Sequence, residues 1–168
     1  MKKINFYLKT VFIVAVIIIL LIAGNFFIKF IIEKSRWKSF EATVTKVIDG
    51  DTIIIDKNNQ VVRLLGIDAP ETNHPDYPVQ KFGDEAKKYL RQKIEFRKIK
   101  LTYNTEETYD VYNRLLAYVY LNGCLINAEM VKSGYAYVYT NKECSKTKEF
   151  LILESVARQF KKGIWKER

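Results

Sequence analysis

The residues with the clearest chemical potential lie between Asp49 and Glu71, in the stretch D-G-D-T-I-I-I-D-K-N-N-Q-V-V-R-L-L-G-I-D-A-P-E. It opens on one acidic turn, D-G-D-T, and closes on another, D-A-P-E. Between them, Thr52–Asp56 and Gln60–Leu65 read as the arms of a hairpin joined by Lys57-Asn58-Asn59-Gln60. A hairpin returns the chain to its starting point, so Asp51 is expected beside Asp68 and Glu71, with Arg63 on the returning arm close by. Carboxylates gathered in one place repel unless a cation sits among them. An arginine next to that cation suggests an anionic ligand, and the combination points to metal-assisted phosphodiester chemistry.

The other chemistries are limited by what the chain lacks. It has one histidine, His74, which excludes a His-rich metal site, and no nucleophile elbow accompanies it. Cys124 and Cys144 have no C-x-x-C spacing, so they make no cysteine zinc site by themselves, and sequence leaves open whether they pair. The formal net charge of +9 is uneven: residues 1–38 carry about +6 and residues 39–168 about +3. Most of the basicity therefore flanks an apolar segment, where it bears on membrane topology, and it argues little for a polyanionic partner.

The elements that must position these residues follow in chain order. Residues 1–10 form a basic lead, and 11–32 are almost continuously apolar. As a helix the latter would be about 33 Å long, enough to cross a bilayer. An uncleaved anchor is favoured; a cleaved signal peptide is the alternative, although no A-x-A site follows. Residues 33–40 read as a juxtamembrane linker and 41–168 as the globular domain. Glu41–Ile48 alternates with a strand period before the hairpin. Beyond Glu71 comes a proline-containing loop that includes His74, then an amphipathic helix over Asp84–Lys93 with Ala86, Tyr89 and Leu90 inward. Strands follow over Phe96–Tyr103 and Leu115–Leu121, and Arg114 stands just before the second. Asn127 is expected to cap a short helix stopped by Gly134. Tyr135–Tyr139 reads as a strand or an aromatic rim. A last helix, Lys146–Lys162, should turn Phe150, Leu151, Leu153, Val156, Ala157 and Phe160 inward and end at Gly163. Short strands with interleaved helices suit a small Greek-key barrel of the OB type, an α+β fold.

The segments V-I-D-G-D-T, R-L-L-G-I-D-A-P-E-T-N-H-P, K-F-G-D-E-A, Y-N-R-L-L-A-Y-V-Y, N-A-E-M-V and G-I-W resemble, in order and spacing, the staphylococcal nuclease (thermonuclease) family. The resemblance covers about residues 41–166. It implies a five-stranded OB-fold barrel with three α-helices, here preceded by one N-terminal transmembrane helix. It implies Ca²⁺-dependent hydrolysis of DNA and RNA, with products ending in 3′-phosphate. Position by position, the metal carboxylates fall on Asp51 and Asp68, and a main-chain metal ligand falls on Ala69, where the family's best-known member has threonine. The glutamate acting on the attacking water falls on Glu71, and the phosphate-binding arginines on Arg63 and Arg114. Tyr112 and Tyr139 match positions that contact nucleotide, and Val111 stands where a lysine is common.

Chemistry and resemblance agree, since oxygen-only ligands suit a hard cation such as calcium. The expectation is a monomeric, membrane-tethered nuclease with its domain extracytoplasmic, or a secreted one if the signal is cut, and no protein partner is inferred. The competing reading is a catalytically silent OB-fold module that binds single-stranded nucleic acid. The joint presence of Asp51, Arg63, Asp68, Glu71 and Arg114 opposes it.

Overall fold

The computed structural model describes residues 2–72 and 80–166, with side chains from Val11 onward. The proline-containing loop around His74 lies outside the described residues. The chain divides into two units, Met1–Trp37 and Lys38–Arg168. The first is one helix, α1 (Lys2–Arg36), whose stretch Val11–Arg36 is long and apolar enough to cross a bilayer and is nowhere buried within the protein. Residues 33–40, expected as a linker, are divided between the end of α1 and the start of the first strand, which begins at Trp37.

In the second unit the strands are β1 (Trp37–Asp49), β2 (Thr52–Ile55), β3 (Val61–Leu64), β4 (Ile67–Asp68), β5 (Lys98–Asn104), β6 (Leu115–Leu121), β7 (Cys124–Leu125) and β8 (Tyr137–Val138). The helices are α2 (Gly83–Ile94), α3 (Ile126–Lys132) and α4 (Thr147–Gln159), followed by a 3₁₀ turn over Gly163–Trp165. Five strands close into a barrel in the order β3-β2-β1-β5-β6, with β3 returning to pair β6. That closing pair is parallel, Val62 opposite Leu115 and Leu64 opposite Ala117. The expected OB-type barrel with three domain helices is therefore present. Two register shifts in β1, between Val44 and Lys46 and between Val47 and Asp49, bend this long strand along the barrel wall. Asn58 and Asn59 both take positive φ, as a two-residue hairpin turn requires, and asparagine tolerates this better than most residues.

The barrel interior is filled by alternate strand residues, among them Val44, Ile53, Ile55, Val62, Leu64 and Leu101, all buried. Helix α2 closes on this core through Ala86, Leu90 and Ile94; Tyr89, expected inward, is half-buried and donates a hydrogen bond to Glu129.

Three local expectations need correction. Asn127 is not the cap of α3: Leu125 precedes the helix, and Asn127 lies inside it, fully buried. Its Oδ1 accepts the Val119 N–H at 2.9 Å and its Nδ2 donates to the Leu65 carbonyl at 2.9 Å, so it ties α3 to the barrel. The inward face of α4 is Phe150, Glu154 and Ala157, whereas Leu151 and Phe160 are exposed. The buried Glu154 is satisfied by the Val138 N–H at 3.0 Å and by Arg158 at 2.8 Å. Finally, α4 ends at Gln159 with Lys161 in the left-handed position, while Gly163 instead meets Gly134 backbone to backbone, Ile164 N–H donating to the Gly134 carbonyl at 2.9 Å.

Candidate active site

The first acidic turn joins β1 to β2 and must lie close to the second. Gly50 makes this possible: a Cβ there would stand 2.6 Å from the Ala69 Cβ and 2.9 Å from the Ala86 Cβ. With no side chain in the way, the D-G-D-T backbone presses onto D-A-P-E and onto α2. Asp51 is then only 4% exposed. Its carboxylate accepts the Ala69 N–H at 2.7 Å and the Thr52 hydroxyl at 2.8 Å, and its carbonyl accepts the Leu64 N–H at 2.8 Å. These bonds place the carboxylate at the junction of β2, β3 and β4.

Arg63 arrives on β3, in register with Thr52. Its guanidinium touches the Asp51 carboxylate and meets Asp68 Oδ1 at 2.6 Å. The Asp68 side chain is 49% exposed, so the group opens to solvent on that side. Arg63 Nη1 is buried against Asp51 without an aligned acceptor. Burial pushes the Arg63 guanidinium below its ordinary value; Asp68 pulls it back, Arg114 pushes it down again and Glu71 opposes that. It stays protonated, since no protein environment strips an arginine.

Glu71 closes the far edge. Its carbonyl accepts the Gln80 N–H at 2.8 Å and its N–H donates to the Gln80 side chain at 3.3 Å, so one glutamine clamps both ends of the intervening loop. Burial raises the Glu71 carboxyl; a hydrogen bond and the charge of Asp49 raise it further, against the pull of Arg63. Asp49 is itself buried. It accepts the Gly50 N–H at 2.8 Å and both the N–H and hydroxyl of Thr72 at 3.1 Å. Sequence reading singled out neither Gln80 nor the Asp49–Thr72 contact, because the first looks like any polar loop residue and the second spans the whole hairpin.

Arg114 enters from the turn before β6. Its Nε donates to Asp110 at 2.7 Å and its guanidinium lies 5.2 Å from the centre of the Tyr112 ring. Tyr112 and Val111 are largely exposed. Tyr139 follows β8, its N–H donating to the Gly66 carbonyl at 3.1 Å. Asp51 and Asp68 thus both contact Arg63, with Ala69 hydrogen-bonded to Asp51 and Tyr112 beside Arg114. Glu71 and Arg114 act on the group through charge. Cys124 and Cys144 are both free thiols.

Among the described residues no three His, Cys, Asp or Glu side chains are gathered as a ready metal centre. The donors nevertheless fit a hard cation. Asp51 and Asp68 offer carboxylate oxygens to one positive group, the donor type that a hard cation takes.

Residues 61–167 match the family model described as staphylococcal nuclease homologue. A thermonuclease of Staphylococcus hyicus is 37% identical over 98% of this chain and 99% of its own length. A thermonuclease of Staphylococcus intermedius is 44% identical over 55% of this chain and 56% of its own. Endonuclease YncB of Bacillus subtilis (strain 168) is 34% identical over 79% of this chain and 65% of its own.

Proposed function

Because the chain belongs to the family of staphylococcal nuclease homologues, and is by that membership a nuclease, we propose that it hydrolyses DNA, RNA or both in a calcium-dependent reaction that leaves 3′-phosphate ends, held at the cell membrane by α1. The observation that carries this reading is the convergence of Asp51, Arg63 and Asp68.

Asp51 and Asp68 would hold the cation, with the Ala69 carbonyl as a third donor. When bound, calcium supplies fixed positive charge against the phosphate. Glu71 orients the attacking water and takes its proton, which requires the ionised carboxylate. Arg63 and Arg114 donate N–H groups to the phosphate oxygens on which charge accumulates, a task suited to the planar guanidinium fork. Arg114 is assigned the hydrogen bond toward the leaving oxygen. Tyr112 and Tyr139 offer ring faces for bases.

The domain is assigned to the outside of the cell. Extracellular calcium sites bind at roughly 0.1–1 mM, a level the cytosol does not supply. An unspecific nuclease facing inward would also attack the cell's own nucleic acid. Protease treatment of intact cells should digest the domain, and complete protection would contradict this placement.

The full chain in detergent, given single-stranded DNA with calcium and then with a chelator, tests the reaction. Fragments bearing 3′-phosphate are expected with calcium and none with chelator. Cleavage that persists in chelator, or ends bearing 3′-hydroxyl, would defeat the proposal.

A further inference from the structure

The turn that delivers Arg114 is organised around a single carboxylate. Asp110 Oδ1 accepts the backbone N–H of Tyr112 at 3.0 Å and of Arg114 at 2.9 Å. Its Oδ2 accepts Nε–H of Arg114 at 2.7 Å. Its backbone closes the same turn, the Asp110 N–H donating to the Arg114 carbonyl at 3.0 Å and its carbonyl accepting the Asn113 N–H at 3.1 Å. Asn113 takes φ of 60°, a left-handed conformation that asparagine tolerates. One residue thus fixes both the backbone from which Arg114 projects and the root of its guanidinium.

An exposed ion pair between residues four apart ordinarily contributes little. This one differs because the acid's oxygens are shared between the side chain and the peptide carrying it, and because the pair is largely covered, at 17% side-chain exposure for Asp110 and 30% for Arg114. The Tyr112 ring bounds the guanidinium as well. Burial alone would raise the Asp110 carboxyl; the hydrogen bonds from the Arg114 backbone and side chain outweigh it and hold the acid below its ordinary range. A long side chain left free would sample many rotamers, and a phosphate-binding group a fraction of an ångström out of place loses much of its effect.

We propose that Asp110 is a positioning residue of the nuclease, holding Arg114 by Nε so that its two Nη groups are left for the phosphate. This rests on the role given to Arg114 above.

The test is a double-mutant cycle on the full chain in detergent, reading kcat and KM on single-stranded DNA for wild type, Asp110→Asn, Arg114→Ala and the pair. Asparagine keeps an oxygen for the two backbone amides and loses the charged acceptor for Nε. Arg114→Ala should lower kcat by roughly 10²–10³-fold. Asp110→Asn should lower kcat by about tenfold, with KM moved less than about twofold, and should change kcat less than about twofold when Arg114 is already alanine. Equal losses from Asp110→Asn in both backgrounds, or no loss in either, would overturn the proposal. Full activity in Arg114→Ala would instead remove the role of Arg114 itself, and the proposal with it. If Asp110→Asn does not fold, the wild-type Arg114 Nε–H decides by NMR. Slowed exchange with water is expected, and exchange as fast as that of free arginine would refute the proposal.

Discussion

The behaviour of Glu71 depends on its neighbours. Burial, then the hydrogen bond and charge of Asp49, raise its carboxyl, and Arg63 opposes them only in part. In its proposed role as base it must be ionised, so kcat should fall as pH drops through a value above the ordinary glutamate figure of about 4.3. Asp49→Asn, which removes the charge beside it, should move this acid limb to lower pH; pH–rate profiles of the two proteins check this, and an unmoved limb would contradict it. The same shift has a consequence for stability. A carboxyl raised on folding favours the fold below its unfolded pKa, and that contribution is lost as pH rises through the folded value. At neutral pH the charged Glu71 therefore weighs against folding. Glu71→Gln should raise the Tm at pH 7 even as it lowers turnover, and thermal unfolding in detergent measures it. At this scale the sequence was informative where a hairpin dictates the meeting: Asp51, Arg63 and Asp68 are placed together by the returning strand. Gln80 was illegible, since its partner Glu71 lies across a loop with no periodicity to reveal the contact.

The elements show why local patterns succeed for strands and fail for some helix faces. The asparagine pair at the hairpin and the alternation in β1 are properties of neighbouring residues, so they can be read directly. Asn127 is different. An asparagine near a helix start is a good cap by local chemistry, yet here its amide bridges Val119 and Leu65, partners that only the closed barrel supplies. Asn127→Ala would strand the buried Val119 N–H and leave the part-buried Leu65 carbonyl without its amide donor, and should cost about 1–3 kcal/mol, read as a lowered Tm. Glu154 misled the reading of α4 for the same reason, because its partner is the Val138 amide on β8. The contact between Gly134 and Gly163 gives a sharper test. A Cβ at Gly134 would lie 2.3 Å from the Lys162 carbonyl oxygen, at φ of +73°. Gly134→Ala should therefore destabilise by more than about 1 kcal/mol, and an unchanged Tm would contradict the packing.

At the scale of the whole molecule, an apolar helix and a nuclease barrel share one chain. The helix was legible from length and composition alone, and the barrel from short strands and the motifs they carry. Whether the helix is retained is a question of processing, which neither periodicity nor packing encodes. The proposed tether predicts that the chain stays with membranes after alkaline carbonate extraction, and release into the soluble fraction would favour a cut signal. The single most direct measurement is turnover of single-stranded DNA by the full chain and by Glu71→Gln, each saturated with calcium, with calcium binding followed by calorimetry on the same samples. The site described here predicts that both proteins bind calcium comparably, while the variant loses about 10²–10⁴-fold in kcat. A variant that binds calcium and cleaves at the wild-type rate would contradict the assignment of Glu71 as base, and a wild-type chain that binds DNA without cleaving it would contradict the reaction itself.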